Sequence, residues 1–477
     1  MLTLLILSVL AAGIILSCVF IIYEHQSPAA TMAWLLAMVL LPFIGLGAYF
    51  VFGRRKVNMR IRLLQAISQA FGDVRQKLKF DKTFSKSLTA IIRRHQGLMR
   101  LAYNFPGPPP TTGNLVEVQS DAKESYPDIF EAMAKAEKYI HAMYYIFRPD
   151  ETGIKFRDML TERAKAGVEV RLMYDDIGSW SMKLKFFEPL IKAGGQVREY
   201  RPVHFSRFRG AYANFRNHRK ILVVDGKTAY TGGINIGDEY LGRDPLLGYW
   251  RDSNIKITGP AASHLQLIFA EDWFYVTSEM LGADYLVKDW PDDAQGEIVQ
   301  VVPSGPDRQI DQVAKLYFTA ITSAQKNLYI TTPYFIPDES VQTALIAAAL
   351  RGVDVRLLVP MNFDRKIIKY ASMSYFKELL EVGCKIYQYK KGFIHSKTVS
   401  ADGELGIVGT ANMDIRSFRL NFEVCAVCYS KAVAEHLDEH FFEDLEDSMP
   451  LSMKRYKMRA RLERFLENTA RLMSAVL

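Results

Sequence analysis

Two histidines carry the first chemical signal in this chain of 477 residues. His218 is followed by Lys220 and then Asp225-Gly226, and His395 by Lys397 and Asp402-Gly403, so a His-x-Lys-x4-Asp-Gly pattern occurs twice. In an extended segment the side-chain period of two puts His218 and Lys220 on one face, and His395 and Lys397 likewise. Each copy therefore offers an imidazole beside an ammonium. A step of small residues and an asparagine follow at matching offsets, Gly232-Gly233-Ile234-Asn235 and Gly409-Thr410-Ala411-Asn412. The asparagines, like the histidines, lie 177 residues apart. Small residues allow close backbone approach, and the amides can donate to an oxyanion. Each copy then reaches an acid on an apolar stretch, Asp252 after Tyr249-Trp250-Arg251 and Glu423 after Asn421-Phe422. Such a carboxylate is suited to hold a histidine Nδ1–H, which fixes the tautomer and leaves Nε2 free.

Brought together across a pseudo-twofold, these groups suit displacement at phosphorus. One imidazole attacks, the other protonates the leaving oxygen, and the Lys and Asn donors neutralise charge as it builds on the phosphoryl oxygens. The scheme needs neither metal nor cofactor. It casts His218, Lys220, Asp225, His395, Lys397 and Asp402 as catalytic, Asn235 and Asn412 as phosphate-binding, and Asp252 and Glu423 as orienting groups. Plainer roles compete: Asp-Gly is a two-residue hairpin signal, which makes Asp225 and Asp402 turn residues, and the two acids could be ordinary ion-pair partners.

The elements around the motifs repeat as well. Lys138 opens KYIHAMYYIFRPDE and Lys326 opens KNLYITTPYFIPDE; GVEVRLM from Gly167 matches GVDVRLL from Gly352; GQVREY from Gly195 echoes GCKIYQY from Gly383. Apolar strands alternating with helices over 155–166 and 339–351 predict a largely parallel sheet covered on both sides, an α/β/α sandwich made twice and closed into an internal pseudo-dimer.

Outside the repeat, residues 1–53 contain one formally charged side chain, Glu24. Two apolar stretches, 2–23 and 31–52, are each about 33 Å long as helix, enough to cross a hydrocarbon core, and the short link 24–30 makes them a transmembrane hairpin. A re-entrant hairpin is the alternative, suggested by Pro42, Gly45 and Gly47. Basic residues follow the second stretch rather than precede the first, unlike a signal peptide. Between 54 and 100 thirteen Lys or Arg face only Asp73 and Asp81, although the whole chain carries just +8. The positive-inside rule then puts the body and the amino terminus on the cytoplasmic side of the membrane. Within that basic run Ile61, Leu64, Ile67 and Phe71 have helical spacing, either an interfacial helix or a solvated one. Pro-rich 104–114 reads as a linker. At the far end Met458, Leu462, Phe465, Leu466, Leu472, Met473 and Val476 share a helical face ringed by Lys and Arg, which packs on the body or lies on a membrane. The resulting division is 1–53 hairpin, 54–113 basic linker, 114–290 first domain, 291–450 second domain and 451–477 basic amphipathic helix. Composition, 49% apolar and 23% charged, excludes a disordered chain. Four scattered cysteines exclude a disulfide framework, and Cys425 and Cys428 read as a buried strand rather than a zinc site.

The duplicated motifs identify the chain as similar to the HKD phospholipase D superfamily. The hairpin ending Phe52-Gly53-Arg54-Arg55, the segments NHRKILVVDG, TGGINIGDEY and WRD, and IHSKTVSADG through GTANMDIRSFRLNFE resemble the bacterial cardiolipin synthase family over essentially the whole length. That resemblance implies a membrane phosphatidyltransferase joining two phosphatidylglycerols into cardiolipin with release of glycerol. His218 would form a phosphatidyl-histidine and His395 would protonate glycerol, then act as base on the incoming hydroxyl. A hydrolytic phospholipase D or another phosphatidyltransferase is the alternative. Thr410 departs from the serine common in the family but keeps the hydroxyl. The stretch 201–219 interleaves Phe205, Phe208, Tyr212 and Phe215 with Arg207, Arg209 and Arg216, a composition suited to admitting lipid headgroups. Phosphatidylglycerol and anionic membrane lipid are the expected partners, nucleic acid is not, and a homo-oligomer stays open.

Overall fold

The computed structural model of the chain describes residues 2–23, 28–41, 44–45, 48–49, 89–105, 107–200, 215–245, 248–287, 290, 296–306, 311–475 and 477. The chain divides into two compact units, one of residues 1–58 with 203–215 and one of 59–202 with 216–477. In the first unit helices span Leu2–Tyr23 and Pro28–Leu40, and Ile21, Met38 and Tyr49 form a small apolar cluster. The second helix has 13 residues and stops ahead of Pro42, where the expected stretch 31–52 was continuous. A proline ring locks φ and disfavours helix at the preceding residue. Among the described residues no helix is long and apolar enough to cross a membrane. The periodic run from Ile61 to Phe71 lies outside the described residues.

The second unit is built on one sheet of 15 strands. Its first half contains β1 (Thr111–Gln119), β2 (Tyr139–Tyr144), β3 (Glu169–Asp175), β4 (Gln196–Tyr200), β5 (Ile221–Val224), β6 (Thr228–Gly232), β7 (Tyr249–Arg251) and β8 (Asn254–Thr258). The second half contains β9 (Glu297–Ser304), β10 (Asn327–Thr331), β11 (Phe335–Ile336), β12 (Asp354–Pro360), β13 (Lys385–Tyr389), β14 (Gly392–Ile394), β15 (Thr398–Ala401), β16 (Leu405–Gly409), β17 (Met413–Asp414), β18 (Glu423–Tyr429) and β19 (Ser448–Pro450). Across the sheet the order is β4-β3-β2-β5-β6-β8-β1 and then β9-β18-β16-β15-β10-β12-β13-β19, so each half mirrors the other about an antiparallel β1–β9 seam.

Within the 15-stranded sheet only β2, β3 and β4, and their counterparts β10, β12 and β13, pair in parallel, so the sheet is largely antiparallel rather than largely parallel as expected. The rest of each half is antiparallel, because the Asp-Gly turns join β5 to β6 and β15 to β16 as hairpins, and a short turn can connect only antiparallel neighbours. The repeated Pro-Asp-Glu has a local cause. Asp150 and Asp338 each cap the helix that follows, Glu151–Lys165 and Glu339–Leu350, by accepting the N–H of Gly153 and Val341. Strand β2 is buried along its full length, as a strand covered on both faces must be.

Two expected boundaries move. The helix Thr89–Asn104, expected in a linker, places Leu98, Met99 and Ala102 in the same core as Val313, Tyr317 and Val427 of the second half. Pro108, Pro109 and Pro110 are buried and lead straight into β1. The C-terminal segment forms two helices, Met453–Lys457 and Arg461–Arg471, rather than one, and buries Tyr456 and Ala470 in the second core.

Asp225 and Asp402 lie at the far end of β5 and β15 from the histidines, with φ of 54° and 56°. The Asp225 carboxylate accepts the backbone N–H groups of Glu137, Lys138 and Tyr139, and Asp402 those of Gln325, Lys326 and Asn327. Their catalytic assignment is therefore corrected: each aspartate pins the start of the parallel strand beside its hairpin. Asp225→Ala is expected to lower stability by about 1–2 kcal/mol in urea titration, through lost charge-assisted hydrogen bonds and an Ala forced to positive φ. Asp225→Asn, which tolerates that φ, is expected to lose less.

Candidate active site

Neither histidine sits inside a regular ladder. His218 and His395 each precede a hairpin in an extended lead-in that crosses to the other half of the molecule. The His218 N–H donates to Phe422 O (2.9 Å), and the His395 N–H to Arg251 O (2.7 Å). A short parallel pairing of β14 with β7 and a bridge between Asn217 and Phe422 make the two crossings equivalent.

The consequence is an exchange of carboxylates. His218 Nδ1 lies 3.1 Å from Glu423 Oε2, an acid of the second half, and His395 Nδ1 lies 2.7 Å from Asp252 Oδ2, an acid of the first. Each acid is fully buried and held in turn. Glu423 accepts from the Thr410 hydroxyl (2.6 Å) and from Asn421 Nδ2 (3.2 Å). Asp252 accepts from its own neighbour, the Ser253 N–H (2.8 Å), and from the Trp250 indole (3.3 Å). Thr410 thus uses its hydroxyl on the acid. At the equivalent Gly233 a Cβ would fall 1.8 Å from Asp252 Oδ1, so only glycine fits there. Both Nδ1 atoms being engaged, each Nε2 is the nitrogen left for chemistry.

Lys220 and Lys397 are buried beside the imidazoles, and each ammonium donates to the carbonyl of its own histidine, Lys220 at 2.7 Å. Burial first, and then Lys397, pull Lys220 down to about 7 against the attraction of Glu423; burial pulls Lys397 down to about 8. Burial also lowers both histidines, His395 to about 3 with Lys397 adding to the effect. Asp252 and Glu423 stay below the usual carboxylate range. Their burial works the other way, but Lys397 and His395 outweigh it at Asp252, and His218 and Lys220 at Glu423. Each half's lysine is felt by the other half's groups, which places all six side chains in one electrostatic site. Its resting form is two neutral imidazoles, two carboxylates and two lysines poised to lose protons.

The asparagines are less available than their spacing suggests. Asn235 Oδ1 accepts the Ile146 N–H (2.9 Å) and Nδ2 donates to Tyr240 (2.7 Å), which leaves at most one N–H for a ligand. Asn412 Nδ2 donates to Asp414 (3.1 Å), and its buried Oδ1 has no hydrogen-bond partner among the described residues.

Residues 129–273 and 317–445 match the family described as "Cardiolipin synthase, PLD-like domain". The chain belongs to the phospholipase D-like cardiolipin synthase family. Residues 6–54 match a second description, "Phospholipase_D-nuclease N-terminal". Among relatives of this family, a cardiolipin synthase of Geobacillus sp. strain WCH70 is 43% identical over 98% of this chain and 93% of its own. Another, from Clostridium perfringens strain 13, is 39% identical over 95% of each. A crystal structure of phosphatidylserine synthase from Haemophilus influenzae Rd KW20 shares the fold, with a TM-score of 0.59 and 16% identity over 81% of this chain and all of the other.

Several residues that support this family's paired motifs were not legible as site residues. Tyr145 lies against the His218 ring, centroids 4.6 Å apart, and the Lys220 ammonium stands 5.5 Å from the centre of the Tyr145 ring. Trp250 and Phe393 flank His395 at 5.1 and 5.8 Å. Beneath His218, buried Asp175 takes Arg216 Nε and Nη2 (3.0 and 2.7 Å) and the Asn217 N–H, while Arg219 pairs with Asp272 (2.6 Å). Arg216, read from sequence as a headgroup contact, is therefore a structural anchor. The only sequence signal was its position two residues before the histidine. Phe205, Arg207, Phe208, Arg209 and Tyr212 lie outside the described residues.

A protonation test follows from the depressed lysines. Since they titrate near 10.5 in an unfolded chain, they penalise the folded state below about pH 7 and the penalty fades as pH rises toward 10. A bound phosphodiester favours the charged ammonium, so binding at pH 8 should take up protons. Titration calorimetry with glycerophosphoglycerol in buffers of different ionisation enthalpy is expected to show net uptake, reduced in Lys220→Met.

Proposed function

We propose that this protein transfers a phosphatidyl group from one phosphatidylglycerol to another, giving cardiolipin and glycerol. The observation that carries the reading is the pair of imidazoles, each oriented by a carboxylate from the opposite half, with a buried lysine beside each. Relatives named cardiolipin synthase, matched over nearly the full chain, support the choice of donor and acceptor.

In the proposed course, His218 Nε2 attacks the donor phosphorus. The P–N bond forms as the P–O bond to glycerol breaks, and His395 supplies the proton that leaves with glycerol. His395 then removes a proton from the headgroup hydroxyl of the second phosphatidylglycerol, whose oxygen displaces His218. Lys220 and Lys397 neutralise the phosphoryl oxygens, with Asn235 and Asn412 contributing the N–H capacity they retain. Glu423 and Asp252 hold the imidazoles and favour their cationic forms as charge shifts. In the empty site burial keeps His395 neutral; the anionic phosphodiester offsets the two lysines and restores its ability to hold a proton.

The anchoring reading also belongs here. The apolar stretches 2–23 and 31–52 of the sequence, with Glu24 the single charged side chain of residues 1–53, support a membrane hairpin. Arg54, Arg55 and Lys56 then favour a cytoplasmic position for the catalytic unit of a multi-pass protein in the cell membrane.

Purified protein in phosphatidylglycerol vesicles with EDTA is expected to yield cardiolipin and glycerol in equal amounts by mass spectrometry. Phosphatidic acid in place of cardiolipin would instead mark a hydrolase, water having outcompeted the second lipid. His218→Ala and His395→Ala are each expected to cost about 10³-fold or more in turnover, since nucleophile and acid act as one unit.

A further inference from the structure

The C-terminal helix Arg461–Arg471 is docked by the face that its sequence would not select. Glu467, Ala470 and Ser474 are buried, while the apolar side chains of Leu462, Phe465 and Leu472 are 67%, 66% and 85% exposed. Met458, just ahead of the helix, and Met473 are exposed beside them. At 3.6 residues per turn, 462, 465, 469 and 472 form one continuous stripe.

The docking is specific rather than loose. Tyr456 Oη donates to Met373 O (2.9 Å), Tyr375 Oη donates to Ser474 Oγ (2.9 Å), Arg459 pairs with Glu467, and the Arg471 guanidinium stacks over Tyr375 at 4.5 Å. The contacts to Met373 and Tyr375 fix the segment on the helix Lys366–Glu381, and the Arg459–Glu467 pair braces it internally. The stripe is therefore held outward by design of the contacts beneath it. Beside it stand Lys454, Arg455, Lys457, Arg461 and Arg464, all exposed, and the stretch 454–471 sets seven Lys or Arg against Glu463 and Glu467. Glu467 is spent on Arg459.

We propose that this face is a docking surface for an anionic lipid bilayer. An amphipathic helix of this kind lies in the interface with large apolar side chains about 5–10 Å deep, and flanking cations meet the phosphates. Charge complementarity selects anionic lipid over a second copy of this chain, because two such basic rims would repel. The surface also has a short path to the active site. The helix that bears it begins at Lys366, next to Arg365, whose charge reaches Tyr145 against the His218 ring. From Lys366 to Met373 is about 10 Å of helix. A bilayer gripped at Phe465 would hold that rim near the headgroups. The proposal needs only the surface, and its test does not depend on turnover.

The test uses the full chain with Cys18→Ser, the other three cysteines being buried. An environment-sensitive fluorophore is placed at Phe465→Cys or, about 200° round the helix, at Glu463→Cys. Each protein is reconstituted in vesicles of equal phosphatidylglycerol and phosphatidylcholine containing spin-labelled lipid. Quenching about three-fold stronger at 465 than at 463 is expected from immersion of one face only. Equal quenching at both positions overturns the proposal. A blue-shifted but unquenched label at 465 also overturns it, since protein rather than lipid then covers the stripe. Leu462→Ser with Phe465→Ser should leave the melting temperature unchanged; a marked fall would show that the stripe packs within the fold, and would equally defeat the proposal.

Discussion

The arrangement depends on one constraint: each imidazole of the paired motifs takes its carboxylate from the other half. Glu423 and Asp252 are fully buried, and a buried charge survives only when paired and hydrogen-bonded. Their partners are the histidines across the pseudo-twofold. The halves therefore cannot separate without stranding two carboxylates, so the seam between β1 and β9 and the crossings at Asn217 and β14 are obligatory parts of the site.

The same burial sets the chemistry. A site dry enough to depress two lysines and two histidines is one in which fixed donors act strongly on developing charge. It is also one whose burial favours neutral imidazole nitrogens, which suits attack on phosphorus. Gly233 and Thr410 show how closely the shell is fitted: one position has no room for a Cβ beside Asp252, and the other supplies the hydroxyl that Glu423 accepts. Copies of a repeat have thus diverged just where the two acids differ in length.

The pieces outside the repeat gain meaning from this frame. The helix Thr89–Asn104 precedes the first half in sequence yet packs in the second half's core. That helix therefore belongs to the part of the second unit that also carries the C-terminal helices. Within the stretch 54–113 expected as a basic linker, Leu98, Met99 and Ala102 at helical spacing had a core to enter.

The sequence by itself determined the repeat, the two histidines and lysines, the acids that follow them and the small-residue steps, because these are matters of identity and spacing along the chain. It also determined the hairpins, since Asp-Gly turns are local. Only the tertiary structure decided which acid serves which histidine, because that pairing is formed between residues about 143 and 205 positions apart and across a pseudo-twofold. It moved Asp225 and Asp402 from the chemistry to the backbone, found Tyr145 and Asp175 under His218, and turned the C-terminal apolar stripe outward. In each case the deciding factor was burial: a side chain's spacing fixes the face it occupies, but whether that face meets a core, a carboxylate or a lipid surface is fixed by what the rest of the chain packs against it.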